Sequence, residues 1–208
     1  NCSFEGNSAA YGGGIYNSWS APTLNRVYFE ECQAQHGGGM YNRSDSSPRL
    51  TNVEFRGNQE TALGGGMYSS DSDPTLANIS FTGNRATSGG ATYNKAGEVQ
   101  VVNATFGGNL AEFKGGAVYN EDSSPVLVNC VVWGNKALTS TQLHNAGASA
   151  PYIIFSDIQE GHAGEGNINQ APAFVNAISA SAAPTTTGDY HLSEGSPAID
   201  AGSNALVS

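Results

Sequence analysis

Large apolar side chains recur in this chain at a long, nearly constant interval. Phe4, Phe29, Phe55, Phe81 and Phe106 are separated by 25, 26, 26 and 25 residues, and Val132 follows 26 residues later. A second row runs through Ile15, Met40, Met67, Thr92, Val118 and Leu143, and small-residue runs such as Gly12-Gly13-Gly14, Gly37-Gly38-Gly39 and Gly115-Gly116-Ala117 precede it. Tyr16, Tyr41, Tyr68, Tyr93 and Tyr119 come one residue after that row, with His144 in the sixth place. Pro22, Pro48, Pro74, Pro125 and Pro151 mark a turn, and Leu24, Leu50, Leu76, Leu127 and Ile153 lie two residues beyond it. About six units of 25 to 26 residues result, and a fixed period of this size signals a repeat architecture.

Each unit offers three short β-prone runs, represented by Pro74-Thr75-Leu76, Asn78-Ile79-Ser80-Phe81 and Ala91-Thr92-Tyr93, with Gly, Asn, Ser or Asp between them. No interval is long enough for a useful helix. Equivalent residues recur in the same order, whereas antiparallel hairpins would require alternate units to differ. Successive units therefore stack in parallel, one coil per repeat, with equivalent residues about 4.8 Å apart. The expected fold is all-β, a right-handed parallel β-helix of six to seven coils with three short strands per coil, its hand following the general preference of parallel crossovers. Residues 1–155 form the repeats, and residues 156–208 are expected to form irregular final coils and a capping tail of the same domain.

Asparagine occupies three fixed places in the unit. Asn7, Asn58, Asn84, Asn109 and Asn135 lie three residues after the phenylalanine row or its Val132 place, with Cys32 in the vacant position. Asn17, Asn42, Asn94, Asn120 and Asn145 follow the tyrosine row, with Ser69 as the substitute. Asn1, Asn52, Asn78, Asn103 and Asn129 precede the phenylalanine row, with Arg26 as the substitute. Stacked amides donate to one neighbour and accept from the other, so these columns predict structural ladders that satisfy buried turns.

Composition sharpens this picture. The 27 glycines and 20 asparagines make up nearly a quarter of the 208 residues, while only 12% are charged. That profile excludes helical bundles and coiled coils, and no apolar run reaches the roughly 20 residues of a membrane-spanning helix. The net charge of -10 argues against nucleic acid or an anionic membrane surface as a partner. Cys2 and Cys130 share a column but lie five coils apart, about 24 Å at the strand spacing, too far for a disulfide. Cys32 lies in another column. Three free thiols are expected, with Cys2 and Cys130 as small core residues.

The GGGIYN, GGGMYN, GGATYN and GGAVYN blocks alternate with FEGN, FRGN, FTGN and FGGN. Over roughly residues 1–150 this pattern resembles the GGA-I and F-x-x-N repeats of polymorphic outer-membrane and autotransporter-passenger β-helices. Asn167-Ile168-Asn169, Pro172-Ala173-Phe174-Val175, Gly188-Asp189-Tyr190-His191-Leu192 and Ser196-Pro197-Ala198-Ile199-Asp200-Ala201-Gly202 resemble the closing tail of bacterial surface proteins of the choice-of-anchor type. The resemblance implies an extracellular or bacterial cell-surface location. The chain begins inside a coil, as expected for a segment of a longer protein.

β-Helices also serve as polysaccharide lyases and hydrolases, whose chemistry needs acids clustered on one face with a basic partner or bound Ca²⁺. The outward positions flanking the phenylalanine row read Ser3, Tyr28, Glu54, Ser80, Thr105 and Glu5, Glu30, Arg56, Thr82, Gly107, which provide no such cluster. Glu30 and Arg56 are stacked neighbours and are expected to form a surface ion pair. His36, His144, His162 and His191 share no column, so a histidine metal site is not expected. Asp45, Asp71 and Asp122 stand three residues before a proline, and Asp73 adds a carboxylate. Solvated turns account for them, with a weakly bound Ca²⁺ at Asp45, Asp71 and Asp73 as the alternative. No other cofactor is expected.

Strand alternation points Tyr16, Tyr41, Tyr68, Tyr93 and Tyr119 outward. They form either a stripe that binds a glycan or protein surface, or a ladder of rings that cover one another. The leading expectation is a non-enzymatic extracellular scaffold or adhesin-like module. Two alternatives are a fibre subunit that self-associates end to end through open strand edges, and a carbohydrate-binding or polysaccharide-cleaving protein.

Overall fold

The structure is a computed structural model that describes residues 2–206; Asn1, the expected first member of the third asparagine row, lies outside them. The chain winds as a parallel β-solenoid of about six coils. Its broad sheet stacks Cys2–Glu5, Thr23–Glu30, Arg49–Arg56, Thr75–Thr82, Gln100–Gly107, Val126–Val128 and Tyr152–Ile154, with Val131–Trp133 and Asp157–Ile158 continuing the later coils. A lateral sheet stacks Gln33–His36, Gln59–Leu63, Arg85–Ser88 and Leu110–Lys114. A third sheet stacks Ile15–Ser18, Met40–Arg43, Met67–Ser70, Thr92–Lys95, Val118–Glu121 and Leu143–Ala146. All three are parallel, and the broad and third sheets are in register: Phe29 lies beside Phe55 and Phe55 beside Phe81, while Tyr16 pairs with Tyr41 and Tyr41 with Tyr68.

There are three strands per coil, but they divide the unit differently from the expected runs. The proline-proximal and phenylalanine-proximal runs fuse into one eight-residue strand. Within it, Leu50, Val53 and Phe55 all face inward, a step of three residues followed by one of two. Strict alternation would forbid that step. Asn52, at φ 54°, absorbs it by taking the left-handed conformation, as do Arg26, Asn78, Asn103 and Asn129 in their coils. Asparagine tolerates this region better than most residues because its short amide bonds locally. The third strand is instead the lateral one, typified by Arg85–Ser88.

The interior is one continuous column of apolar side chains. Phe4, Phe29, Phe55, Phe81 and Phe106 stack with ring centroids 4.6 to 5.1 Å apart and planes within 10°. Val132 and Ile158 extend the column, flanked by Leu50, Leu76, Leu127, Met40 and Met67. The triple-glycine corner is what allows coils to close so tightly. Gly37 has φ 63°, a Cβ on Gly38 would run into the carbonyl oxygen of Gly65, and one on Gly39 would sit 2.8 Å from the Phe55 ring.

Two asparagine columns are buried ladders. Asn58 Nδ2 donates to Asn84 Oδ1 at 2.9 Å and to the Phe29 carbonyl at 2.8 Å, and the Asn58 backbone N–H donates to the same Asn84 oxygen at 3.0 Å. Asn84 and Asn109 repeat the pattern toward Asn109 and Asn135, and Gln142 closes the column by accepting from Asn135. Cys32 keeps the backbone part of the ladder, its N–H donating to Asn58 Oδ1, while Asn7 in the first coil is exposed. The second column runs from Asn17 to Asn42 and Ser69, then from Asn94 to Asn120 and Asn145. Ser69 interrupts it, and the buried Asn94 Oδ1 is left without a partner.

All three cysteines are free. Cys32 and Cys130 are buried, but Cys2 is exposed, because in the first coil nothing stacks over it among the described residues. Arg56 forms its ion pair with Glu54, two positions along its own strand, rather than with the stacked Glu30.

The last coil closes through Asp157–Ile158, which pairs with Ile168. The rest of the tail folds back over the outer face of the broad sheet. Phe174–Asn176 and Asp189–Leu192 pair antiparallel, the Thr185 N–H donates to the Gly83 carbonyl at 2.9 Å, and the Tyr190 ring lies against Gly107 and Gly108.

Candidate functional site

The tyrosine column forms one stack. Ring centroids of Tyr16, Tyr41, Tyr68, Tyr93 and Tyr119 follow one another at 5.4, 4.9, 5.4 and 4.4 Å, and His144 ends the series at 4.7 Å. The adjoining lateral column leans on it, with His36 5.4 Å from the Tyr68 ring and Tyr11 5.5 Å from that of Tyr41. In consequence Tyr68 and Tyr93 are only 7% and 5% exposed, against 47% for Tyr16. Burial holds the Tyr68 hydroxyl above the usual phenol range and the His36 imidazole below its own. Tyr93 donates to Glu121 at 2.6 Å and Lys95 donates to the same carboxylate at 3.0 Å, which keeps Glu121 below the ordinary carboxylate range. The centre of the column is thus a ladder of mutually covering rings, and its open ring surface is concentrated at the Tyr16 end.

The acidic turn column has a backbone explanation. Asp45, Asp71 and Asp122 have φ of 58°, 50° and 50°, left-handed turn conformations, and Ala96 takes the same conformation at φ 49° in the coil between Asp71 and Asp122. The carboxylates of Asp71, Asp73 and Asp122 serve the turns: Asp122 accepts from the Ala148 N–H at 2.9 Å, Asp73 from the Glu98 N–H at 2.7 Å, and Asp71 from the Ser70 hydroxyl at 2.9 Å. Among the described residues, no three His, Cys, Asp or Glu side chains gather as a metal-binding group.

A concavity lies where periodicity gave no signal, between the broad sheet and the returning tail. It measures about 900 Å³ and is lined by Arg26, Asn52 and Asn78 of the left-handed column, by Tyr28, Glu54, Arg56, Ser80, Thr82 and Thr105 of the strands, and by Gly188–His191 of the tail. Its charges are partly matched internally, since Arg56 pairs with Glu54 and His191 Nδ1 lies 2.6 Å from Asp189 Oδ1. The His191 backbone N–H, and then its ring, hold the Asp189 carboxyl below its ordinary range. Tyr28 stands outside the aromatic stacks, and Arg26 is exposed and in no ion pair among the described residues. The outward positions of Tyr28, Glu54 and Arg56 were readable from the repeat; their juxtaposition with Asp189, Tyr190 and His191 was not, because the tail has no period.

The class defined by stacked parallel coils, glycine corners and asparagine ladders is that of a β-helix repeat protein. Within that class, the Chlamydia polymorphic membrane protein repeat matches residues 1–18 and 78–95. The two segments occupy the same place in the unit, three coils apart, and each runs from the phenylalanine position to the tyrosine strand, the second through the lateral strand Arg85–Ser88 and the first through isolated bridges at Ser8 and Tyr11. No curated protein and no solved structure matches the chain. No helix among the described residues is long and apolar enough to cross a membrane.

Proposed function

We propose that this chain is a non-enzymatic β-helical scaffold of a bacterial surface protein, an adhesin-like module that holds contact faces away from the cell. The match to the polymorphic membrane protein repeat carries this reading, because it falls on two coils in identical register. Supporting it, nearly every repeated polar residue is committed to a ladder or a turn, and both groove acids, Glu54 and Asp189, are paired with basic residues of the groove. The tail from residue 156 onward is read as the closing segment of such a surface protein. External protease on intact cells that make the full-length protein tests the location: fragments of residues 2–206 are expected in the supernatant without lysis. Protection of this region until the cells are broken would overturn the reading. Incubation with pectin, alginate and hyaluronan is expected to release no reducing or unsaturated ends, and turnover of any of them would replace the scaffold with an enzyme.

A further inference from the structure

The third asparagine column differs from the two buried ones. Asn52 Nδ2 donates to Asn25 Oδ1, Asn78 to Asn52, Asn103 to Asn78 and Asn129 to Asn103, at 3.1 to 3.2 Å, and all of these side chains are at the surface. An asparagine amide has two N–H donors and two acceptor lone pairs. Asn52, Asn78 and Asn103 each use one of each within the column, so each keeps one donor and one acceptor in reserve. Asn129, the last of the column with its Oδ1 outside the ladder, shows how such an amide grips a partner: its Nδ2 also donates to the Ser203 carbonyl at 3.1 Å while its Oδ1 accepts from the Ser203 N–H at 2.8 Å. Asn52 and Asn78 each carry one remaining donor and one remaining acceptor, with no second partner among the described residues, and both line the 900 Å³ groove.

From this we infer that the groove between the broad sheet and the tail binds a short oligosaccharide containing an acidic sugar. Adjacent sugar hydroxyls each donate and accept, which matches the reserve pairs of Asn52 and Asn78, repeated at the strand spacing of about 4.8 Å. Tyr28 gives the groove an aromatic face free of the protein's own stacks, the surface on which the C–H face of a pyranose packs. Arg26, exposed and in no ion pair among the described residues, presents the planar donor fork suited to a sugar carboxylate. The groove's volume falls within the range of small-ligand sites.

The test is calorimetric titration of the whole chain with oligogalacturonate, oligoguluronate, sialyllactose and a hyaluronan tetrasaccharide, each alongside its carboxyl methyl ester. Two substitutions come from the protein's own columns and the third suits the backbone: Arg26→Asn supplies the asparagine of the other coils, Tyr28→Ser the serine found at Ser3 and Ser80, and Asn78→Gly keeps the left-handed conformation. At least one acidic glycan is expected to bind, with its ester weaker by about tenfold, the scale of one charge-assisted contact. Arg26→Asn should erase that difference, whereas Tyr28→Ser and Asn78→Gly should weaken acid and ester alike. Tyr152→Ala, outside the groove, should change nothing. No binding across the panel at millimolar concentration, or binding unchanged in all three groove variants, would overturn the inference.

Discussion

At the scale of single residues, the exceptions to the repeat are the most informative positions. The lateral sheet carries Ala34, Ala86 and Ala111 in its inward column, but Glu60 stands in the third coil and is only 4% exposed. Its side-chain oxygens accept from the Thr87 N–H at 2.9 Å and from the Ala62 N–H, filling a coil one residue longer at this strand. Burial nonetheless pushes its pKa from 4.5 up to about 8. The folded chain therefore keeps a proton that the unfolded chain releases above about 4.5. The resulting stabilisation is complete below 4.5 and is lost as pH rises through about 8. Urea melts across that range should show falling stability in the parent and a flatter profile in Glu60→Gln. The cysteines offer a second check at this scale. Burial raises the Cys130 thiol to about 12 and the Cys32 thiol in the same direction, while Cys2 is exposed. A thiol reagent at mild alkaline pH should label Cys2 in the native protein and the other two only after denaturation.

At the scale of strands and columns, stability depends on unbroken stacking. Ser69 is the one interruption in the second buried ladder, and it leaves the Asn94 oxygen unsatisfied in a column whose other buried members are asparagines at 0 to 6% exposure. Ser69→Asn restores the missing amide, and chemical denaturation should register a gain of about 1 to 2 kcal/mol, the usual cost of a buried unpaired acceptor. A loss of stability would mean that the column has closed around the serine. The phenylalanine, tyrosine and asparagine columns were legible in the sequence because stacking demands the same side chain at the same step. The lateral strand was not. Gln33–His36 and Arg85–Ser88 have four residues where Gln59–Leu63 and Leu110–Lys114 have five, and their register shifts accordingly. Backbone bonds hold that sheet together, so it places little demand on residue identity beyond the small inward column. The split of Thr75–Thr82 into two expected runs has a related cause: a left-handed asparagine reads as a turn residue, yet here it bends a strand without ending its pairing.

At the scale of the whole molecule, the returning tail converts a uniform solenoid face into a groove. Its hold rests on few contacts: Tyr190 over Gly107 and Gly108, Thr185 on Gly83, Lys136 to the Ser181 hydroxyl at 3.0 Å, and the Asn129 clamp on Ser203. The combined variant Tyr190→Ala and Asn129→Gly should speed proteolytic cleavage within residues 171–206 while leaving the far-ultraviolet circular dichroism of the coils unchanged. If cleavage stays at the parent rate, those two side chains are not what holds the tail. The path of this segment was illegible in the sequence because each docking contact is made once, and a contact made once leaves no periodic trace.

The triple-glycine corners have one more consequence. Because they let each coil lie flush on the next, the upper surface of one coil is close to interchangeable with that of its neighbours. A gene duplication or deletion of one unit, 25 or 26 residues, keeps every column aligned and changes the reach of the molecule by one strand spacing, about 4.8 Å. Reach is thus a heritable quantity that varies in equal steps, each made by copying a unit without new side-chain chemistry.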